Sequence, residues 1–381
     1  MIATVAAVGC LIIAKHRVSP PPEIIVFAAQ RFDQNLGKVF STGPTHLYSI
    51  HKDGTNLKQI TSGKSYDLLP SLSKDRQHIL LWRSKVEAYL WDVAVPFELC
   101  SVSVDGSDLR RLNRRYFGNL TDGLAQAFER FPNLIRTTKV DSVLSFLDGR
   151  GRPFITATDP RFNSSRDRFI TYQDLDLPPD QAKRLIVDMK SRKVTVVQNR
   201  YYAPLWIDDK SIVAVLGKNN TVVILDDRGH ELTRKSLKSA RKNQKIEDDW
   251  IESEHFYGRE RSACALWDKK IFLMHVHHPD SGGGYDELGQ IDMNKGTYRF
   301  VGGQRVEAVS SDGLSFVGAE YDWVGGWKGA GARKLCKLYL WDAKKLTSRP
   351  IGFRLMQCEG ACFAPQMGEG ETATCSSDCG R

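Results

Sequence analysis

The sequence lacks any apolar run of the roughly 20 residues that a bilayer-spanning helix needs. Its longest, MIATVAAVGCLIIA from Met1 to Ala14, turns basic at Lys15-His16-Arg17 and proline-rich at Pro20-Pro21-Pro22. A polytopic membrane protein is therefore not expected. The composition of a disordered chain is also missing, because 41% apolar and 26% charged residues can fill a core and keep the surface wet. There is no acidic excess: 54 lysines and arginines face 45 acids, for a net charge of +9. Such a field suits an anionic partner such as acidic glycan, nucleic acid or phospholipid headgroups. Spread over so many charges of both signs, it reads first as a solvated surface. Finally, no G-x-S-x-G occurs, so the nucleophile elbow of a serine hydrolase is absent.

The N-terminal run suits a signal peptide or short signal anchor, although the charged residues that normally open one are missing. Ala7-Val8-Gly9-Cys10 weakly resembles a bacterial lipobox, which would tether the chain through Cys10. The basic residues after the run pull the other way, since charge bias favours leaving the rest of the chain inside. The expectation is an extracytoplasmic protein, periplasmic or secreted, tethered or free, with a cytoplasmic place as the alternative.

The sequence does hold a repeat, and a repeat decides the fold before any single motif does. His46 to Thr61 reads HLYSIHKDGTNLKQIT, and LCSVSVDGSDLRRL comes next from Leu99 to Leu112. Looser copies run over 184–197, 220–235, 285–301 and 337–351. Asp-Gly between alternating apolar residues is a strong hairpin signal, because both turn positions accept positive φ. A second element interleaves with the first: LLPSLSKDRQHILLW at 68–82, with relatives at 158–172, 202–216, 262–276 and 306–320, and a half copy at 24–29. Each unit then reads as strand A, polar turn, strand B, loop, strand C, Asp-Gly-type turn, strand D.

The pattern P-x-x-S-x-D followed by Y-x-x-x-x-D-G and ending in L-T resembles the repeat of TolB-like propellers across 24–352, most closely at 46–84 and 97–112. The resemblance implies an all-β chain: a six-bladed β-propeller of four-stranded antiparallel blades, closed by a terminal strand. The expected organisation is a signal or anchor segment and linker at 1–22, the propeller at 23–352, and a closing strand with a cysteine-rich tail at 353–381. Because the first blade starts at strand B, its strand A is expected around Phe353 to Gln357, with 1–14 as the alternative donor. Propellers of the prolyl-oligopeptidase kind pair with an α/β-hydrolase domain, which is not expected here.

Antiparallel blades put the short A–B and C–D turns on one face. The segments 31–45, 84–96, 114–157, 174–183, 236–260, 278–284 and 321–335 then fall on the other, where variable loops on a rigid scaffold carry function. Thr121 to Phe131 has the apolar spacing and N-terminal Thr/Asp of a short amphipathic helix, expected to cap the channel or pack on the rim. The basic and acidic cluster at 235–249 reads as a solvated linker.

The candidate binding aromatics and their neighbours on the long-loop face are Trp91, Trp250, His255, Tyr257, Trp323 and Trp327. His275, His277 and His278 form the densest histidine cluster, and spacing of two puts His275 and His277 on one strand face, where imidazoles can hold a transition metal. Propellers that act as oligogalacturonide lyases set a precedent, but strand B is second from the axis. No cofactor is expected, with a divalent metal as the alternative. Asp92, Glu98 and Asp322 serve acid–base work only if neighbours shift them. Cys358, Cys362, Cys375 and Cys379 form two matched pairs, fit for disulfides outside the cytoplasm or a zinc site inside. Cys100, Cys264 and Cys336 read as small core residues. The resulting expectation is a non-catalytic scaffold docking a protein or envelope glycan, with nucleic acid disfavoured; the alternative is a carbohydrate-active lyase.

Overall fold

Seven times along the chain an aspartate at or just beyond a strand end accepts a backbone N–H from the adjoining turn. The acceptors are Asp53, Asp105, Asp148, Asp188, Asp226, Asp292 and Asp342, with N···O distances of 2.8 to 2.9 Å. Each turn also needs one residue at positive φ. Glycine supplies it five times, at Gly54, Gly106, Gly151, Gly229 and Gly296, where a Cβ would strain the backbone. Arg192 and Leu346 bear it in the other two. An antiparallel hairpin results from each turn, and the hairpins set the count of units.

A computed structural model describes residues 23–31, 43–87, 95–118, 120–137, 143–173, 183–198, 201–216, 221–239, 263–265, 271–278, 285–302, 305–324 and 333–366. The first unit holds β1 (Glu23–Arg31), β2 (His46–His51) and β3 (Lys58–Gln59). The second is β4 (Tyr66–Leu72), β5 (His78–Ser84), β6 (Phe97–Ser103) and β7 (Arg110–Tyr116). The third begins with a helix, α1 (Asp122–Arg130), and continues through β8 (Ile135–Thr137), β9 (Val143–Leu147) and the first half of β10 (Pro153–Phe162). The second half of β10 opens the fourth unit, completed by β11 (Arg168–Gln173), β12 (Lys183–Asp188) and β13 (Lys193–Val197).

The fifth unit is β14 (Tyr201–Trp206), β15 (Ser211–Leu216), β16 (Thr221–Asp226) and β17 (Glu231–Ser236). In the sixth, β18 (Lys238–Ser239) runs parallel to β22 (Thr297–Gly302), outside β19 (Ala263–Ala265), β20 (Ile271–His278) and β21 (Tyr285–Asp292). The seventh is β23 (Arg305–Val309), β24 (Ser315–Val324), β25 (Arg333–Asp342) and the first half of β26 (Thr347–Pro365). The second half of β26 then pairs antiparallel with β1, from Leu355 opposite Arg31 to Pro365 opposite Glu23. The two ends of the described chain are thereby stitched into one sheet, with a register reaching beyond the expected 353–357.

Apolar wedges between units order them into a ring. Ile79, Leu81 and Val102 of unit two meet Val26 and Leu47 of unit one. Phe146 of unit three and Phe169 of unit four stack with ring centroids 4.6 Å apart, in a cluster that also takes in Trp82 and Phe97 of unit two. Further wedges join four to five, five to six, six to seven, and seven back to one. Each fully buried phenylalanine in such a wedge is worth about 1.5 to 3 kcal/mol. The chain is an all-β propeller with a single described helix.

The ring has seven units where the repeat pattern gives six. The additional unit is the third, which lies inside the insertion 114–157 and has α1 in place of its first strand. Thr121 caps α1, its hydroxyl accepting from the Leu124 N–H at 3.1 Å. Phe128 packs edge-on to Trp82 and Tyr116, each with centroids 6.0 Å away. The Glu129 carboxylate accepts the Lys74 N–H at 3.0 Å and pairs with Arg166, which also donates to the Leu72 carbonyl. The helix packs between units two and four, against β4, β5, β7 and β10.

Glu23 fastens the join at the short-turn face. Its side chain, 6% exposed, takes Lys52 at 3.0 Å and the Ser311 N–H at 3.1 Å, so one carboxylate links units one and seven. Glu23→Ala leaves that N–H and cation without their partner, and the expected loss is about 2 kcal/mol in a denaturant titration. Glu23→Gln, which keeps an acceptor, recovers part of it.

The turn carboxylates also set the acid response. Burial raises the Asp75 pKa, but the Ser73 hydroxyl, the Gln77 N–H and His78 outweigh it and hold it at about 2. Thr55 lowers Asp53, Ser107 lowers Asp105, and the Lys345 N–H lowers Asp342. A depressed carboxylate contributes stability that is present above the unfolded value near 3.9 and lost as pH falls through the folded one. His46 is lowered by burial, against Asp67, so its share is present above about pH 6.5 and lost below it. Unfolding midpoints measured from pH 8 to pH 3 should fall in two stages. His46→Phe should remove the first and Asp75→Asn should shrink the second.

Candidate binding face

Alternation along the strands divides the propeller into two ends. At one, the C–D turns and the A–B turns consume their own polar groups: Ser310 donates to Asp312 at 2.6 Å, and Asn163 to Asp167 at 2.7 Å. The other end gathers the ends of every B strand and the starts of every C strand. At that end between units one and two, a charged cluster is assembled from five strands.

Asp67, at the start of β4, is 0% exposed, and its N–H donates to the Thr45 carbonyl at 2.9 Å. Arg83, its partner in register near the end of β5, grips it bidentately: Nε to Oδ1 at 2.6 Å and Nη2 to Oδ2 at 2.8 Å. Opposite Arg83 on β6 is Glu98, which takes Arg111 of β7 at 3.0 Å. Charges of alternating sign thus cross the sheet from the inner strand to the outer, as cross-strand pairing favours. His46, first residue of β2, reaches this cluster from unit one, and its buried Nδ1 has no hydrogen-bond partner among the described residues. Burial pushes the nearby Cys100 thiol up to about 11, so it is an inert core thiol and no nucleophile at neutral pH.

The pattern of single residues does not point to this cluster. Its signal is a lone acid at Asp67 and a lone base at Arg83, each within an otherwise apolar strand and brought opposite one another once the hairpin register is set. Of the carboxylates expected at the site, Glu98 is engaged by Arg111, Asp322 lies on β24 opposite Leu335, and Asp92 falls outside the described residues.

Trp91, Trp250, His255, Tyr257 and Trp327 lie outside the described residues, as do Cys375 and Cys379. Trp323 lies near the end of β24, opposite Lys334. His275, His277 and His278 occupy the end of β20, opposite Leu288, Asp286 and Tyr285. The histidines and Trp323 therefore belong to the second strands of adjoining units, at the long-loop end. No group of three or more His, Cys, Asp or Glu is arranged to hold a metal among the described residues, which do not include the β20 histidine side chains. No helix among the described residues is long and apolar enough to cross a membrane.

Cys358 and Cys362 both fall on β26, opposite Ala29 and Val26. Four residues of strand separate their Cα atoms by roughly 10 to 13 Å, beyond the 7 Å limit for a disulfide. They do not bond to each other in this strand, and Cys362 is buried in the wedge between units one and two.

No protein-family model matches the chain, and no curated protein matches it. Among solved structures it is similar to TolB from Acinetobacter baumannii, at 11% identity and TM-score 0.42, over 90% of this chain and 67% of that one. It is similar to a proposed 6-phosphogluconolactonase from Bacteroides uniformis, at 10% and 0.47, over 90% and 100%. It is also similar to an oligogalacturonate lyase from Vibrio parahaemolyticus, at 9% and 0.30, over 85% and 78%. The propeller architecture rests on the strand pairing and the closed order of the wedges, not on these likenesses.

Proposed function

We propose that the chain is a TolB-like binding propeller, extracytoplasmic in place, that docks a protein or an envelope glycan on its long-loop face and performs no chemistry of its own. The observation that carries this reading is the asymmetry of the two ends. The short-turn end satisfies its own polar groups through the Asp turns, whereas the other holds a charged cluster with a buried imidazole nitrogen that has no hydrogen-bond partner among the described residues. On this reading the N-terminal run directs export or tethering.

Co-sedimentation with isolated envelope material tests it. Trp91→Ala/Trp323→Ala should abolish retention, and Lys190→Glu/Arg228→Glu on the short-turn end should leave it unchanged. Equal loss in both variants would sink the reading. The alternative, a lyase with histidines on β20 holding a divalent metal, draws on the shared face of His275 and His277. Stoichiometric metal in the purified protein, together with cleavage of oligogalacturonate lost in His275→Ala, would replace the binding reading with that one.

A further inference from the structure

The charge excess has a location. The outermost strands of the seven units, β3, β7, the first half of β10, β13, β17, β18 and the first half of β26, hold eleven lysines and arginines against one acid, Glu231. That surplus exceeds the +9 of the whole chain, so the remainder is slightly acidic. One cation per exposed edge suffices to discourage edge-to-edge pairing, and β3, β13 and β18 carry one each. Strand β7 carries four in seven residues, RRLNRRY, which edge protection does not require.

Exposed apolar side chains flank the same strand. Leu109 precedes β7 and is 43% exposed, and Phe117 comes just after it at 45%. Eight residues of strand put these two anchors roughly 26 Å apart, with the arginines between them. Arg110 and Arg115 are exposed and have no ion-pair partner among the described residues. The edge continues onto unit one, where Lys58 donates to the Asp105 carbonyl at 2.9 Å, beside exposed Leu57.

We infer that this edge lies flat on an anionic lipid bilayer, arginines on the headgroups and Leu109 and Phe117 in the interface. A soluble polyanion would satisfy the cations and leave the leucine and phenylalanine in water. A charged bilayer takes both, since basic side chains gain from the surface potential and apolar ones from the acyl boundary. The surface runs along the outer edge of unit two and meets the long-loop face only at its Phe117 end, and vesicle binding is read separately from retention on envelope material.

Flotation of the full chain with phosphatidylcholine vesicles, with and without about 30% phosphatidylglycerol, tests it at low and high salt. The readout is the ratio of binding to anionic over neutral vesicles, because Met1 to Ala14 can enter either. Arg110→Gln/Arg115→Gln should cut that ratio about thirtyfold, at roughly fivefold per cation. Leu109→Ser/Phe117→Ser should lower anionic binding with charge unchanged, and Arg234→Gln/Lys235→Gln on β17 should leave it as in the parent. Equal loss in the β17 variant, no preference for anionic vesicles, or no effect of the Leu109 and Phe117 changes overturns the inference. Arginine-dependent retention on heparin without vesicle binding also overturns it and assigns the edge to a soluble polyanion.

Discussion

Asp67→Ala should be the most damaging single polar substitution in the described propeller, costing about 3 to 5 kcal/mol of unfolding free energy. The aspartate is fully buried and both its oxygens are taken by Arg83, whose side chain is only 16% exposed. Removing the carboxylate leaves a guanidinium in a site built to neutralise it, with desolvation already incurred. The loss is a large share of the roughly 5 to 15 kcal/mol that holds most domains folded. The pair itself contributes little net stability, because burying two charges costs nearly as much as their attraction returns. Asp67→Leu/Arg83→Met should therefore recover most of the loss. Denaturant titrations of the two singles and the double give a coupling energy, expected at about 2 kcal/mol or more. Additive losses would show that Arg83 finds water once Asp67 is gone, and that the pair is not desolvated as its geometry requires.

The same two residues show where sequence reading stops. Hairpin positions were legible because an Asp-Gly turn is a local device: Asp53-Gly54 and Asp105-Gly106 state their geometry within a few residues. The burial of Asp67 is not local. It depends on Thr45, twenty-two positions earlier on another unit, presenting its carbonyl to the Asp67 N–H. The helix at Thr121 to Phe131 was legible from its cap and apolar spacing, and is observed at Asp122–Arg130. Its place was not. A template of four strands per unit finds no match where the inner strand is a helix, so LDGRG at 147–151, an Asp-Gly turn like those at Asp53 and Asp105, reads as loop. His275 and His277 fall on the strand their spacing of two assigns, whereas Trp323, expected in the loop 321–335, lies on β24 because that strand runs on to Val324 opposite Arg333.

Gly123→Ala supplies the sharpest test of that additional, third unit. On a solvent-facing helix, replacing glycine by alanine stabilises by about 1 kcal/mol, since alanine loses less backbone freedom on folding. Here the sign should invert. A Cβ on Gly123 would lie 1.7 Å from the Pro160 carbonyl oxygen and 2.8 Å from its carbon, and both belong to the backbone of β10. No rotamer change relieves a clash between a Cβ and a main chain. The helix must move away from β10, and Phe128 and Glu129 are then drawn off Trp82, Tyr116 and Arg166. Overpacking of that kind costs about 1 to 3 kcal/mol beyond the forgone propensity gain. The expected result is a lowered unfolding midpoint for Gly123→Ala, with a larger loss for Gly123→Val. Thr121→Ala, which removes only the cap bond, should cost about 1 kcal/mol and serve as the reference for a helix weakened in place. If Gly123→Ala instead stabilised the protein, α1 would not be packed against β10, and the third unit would be a surface excursion instead of part of the ring.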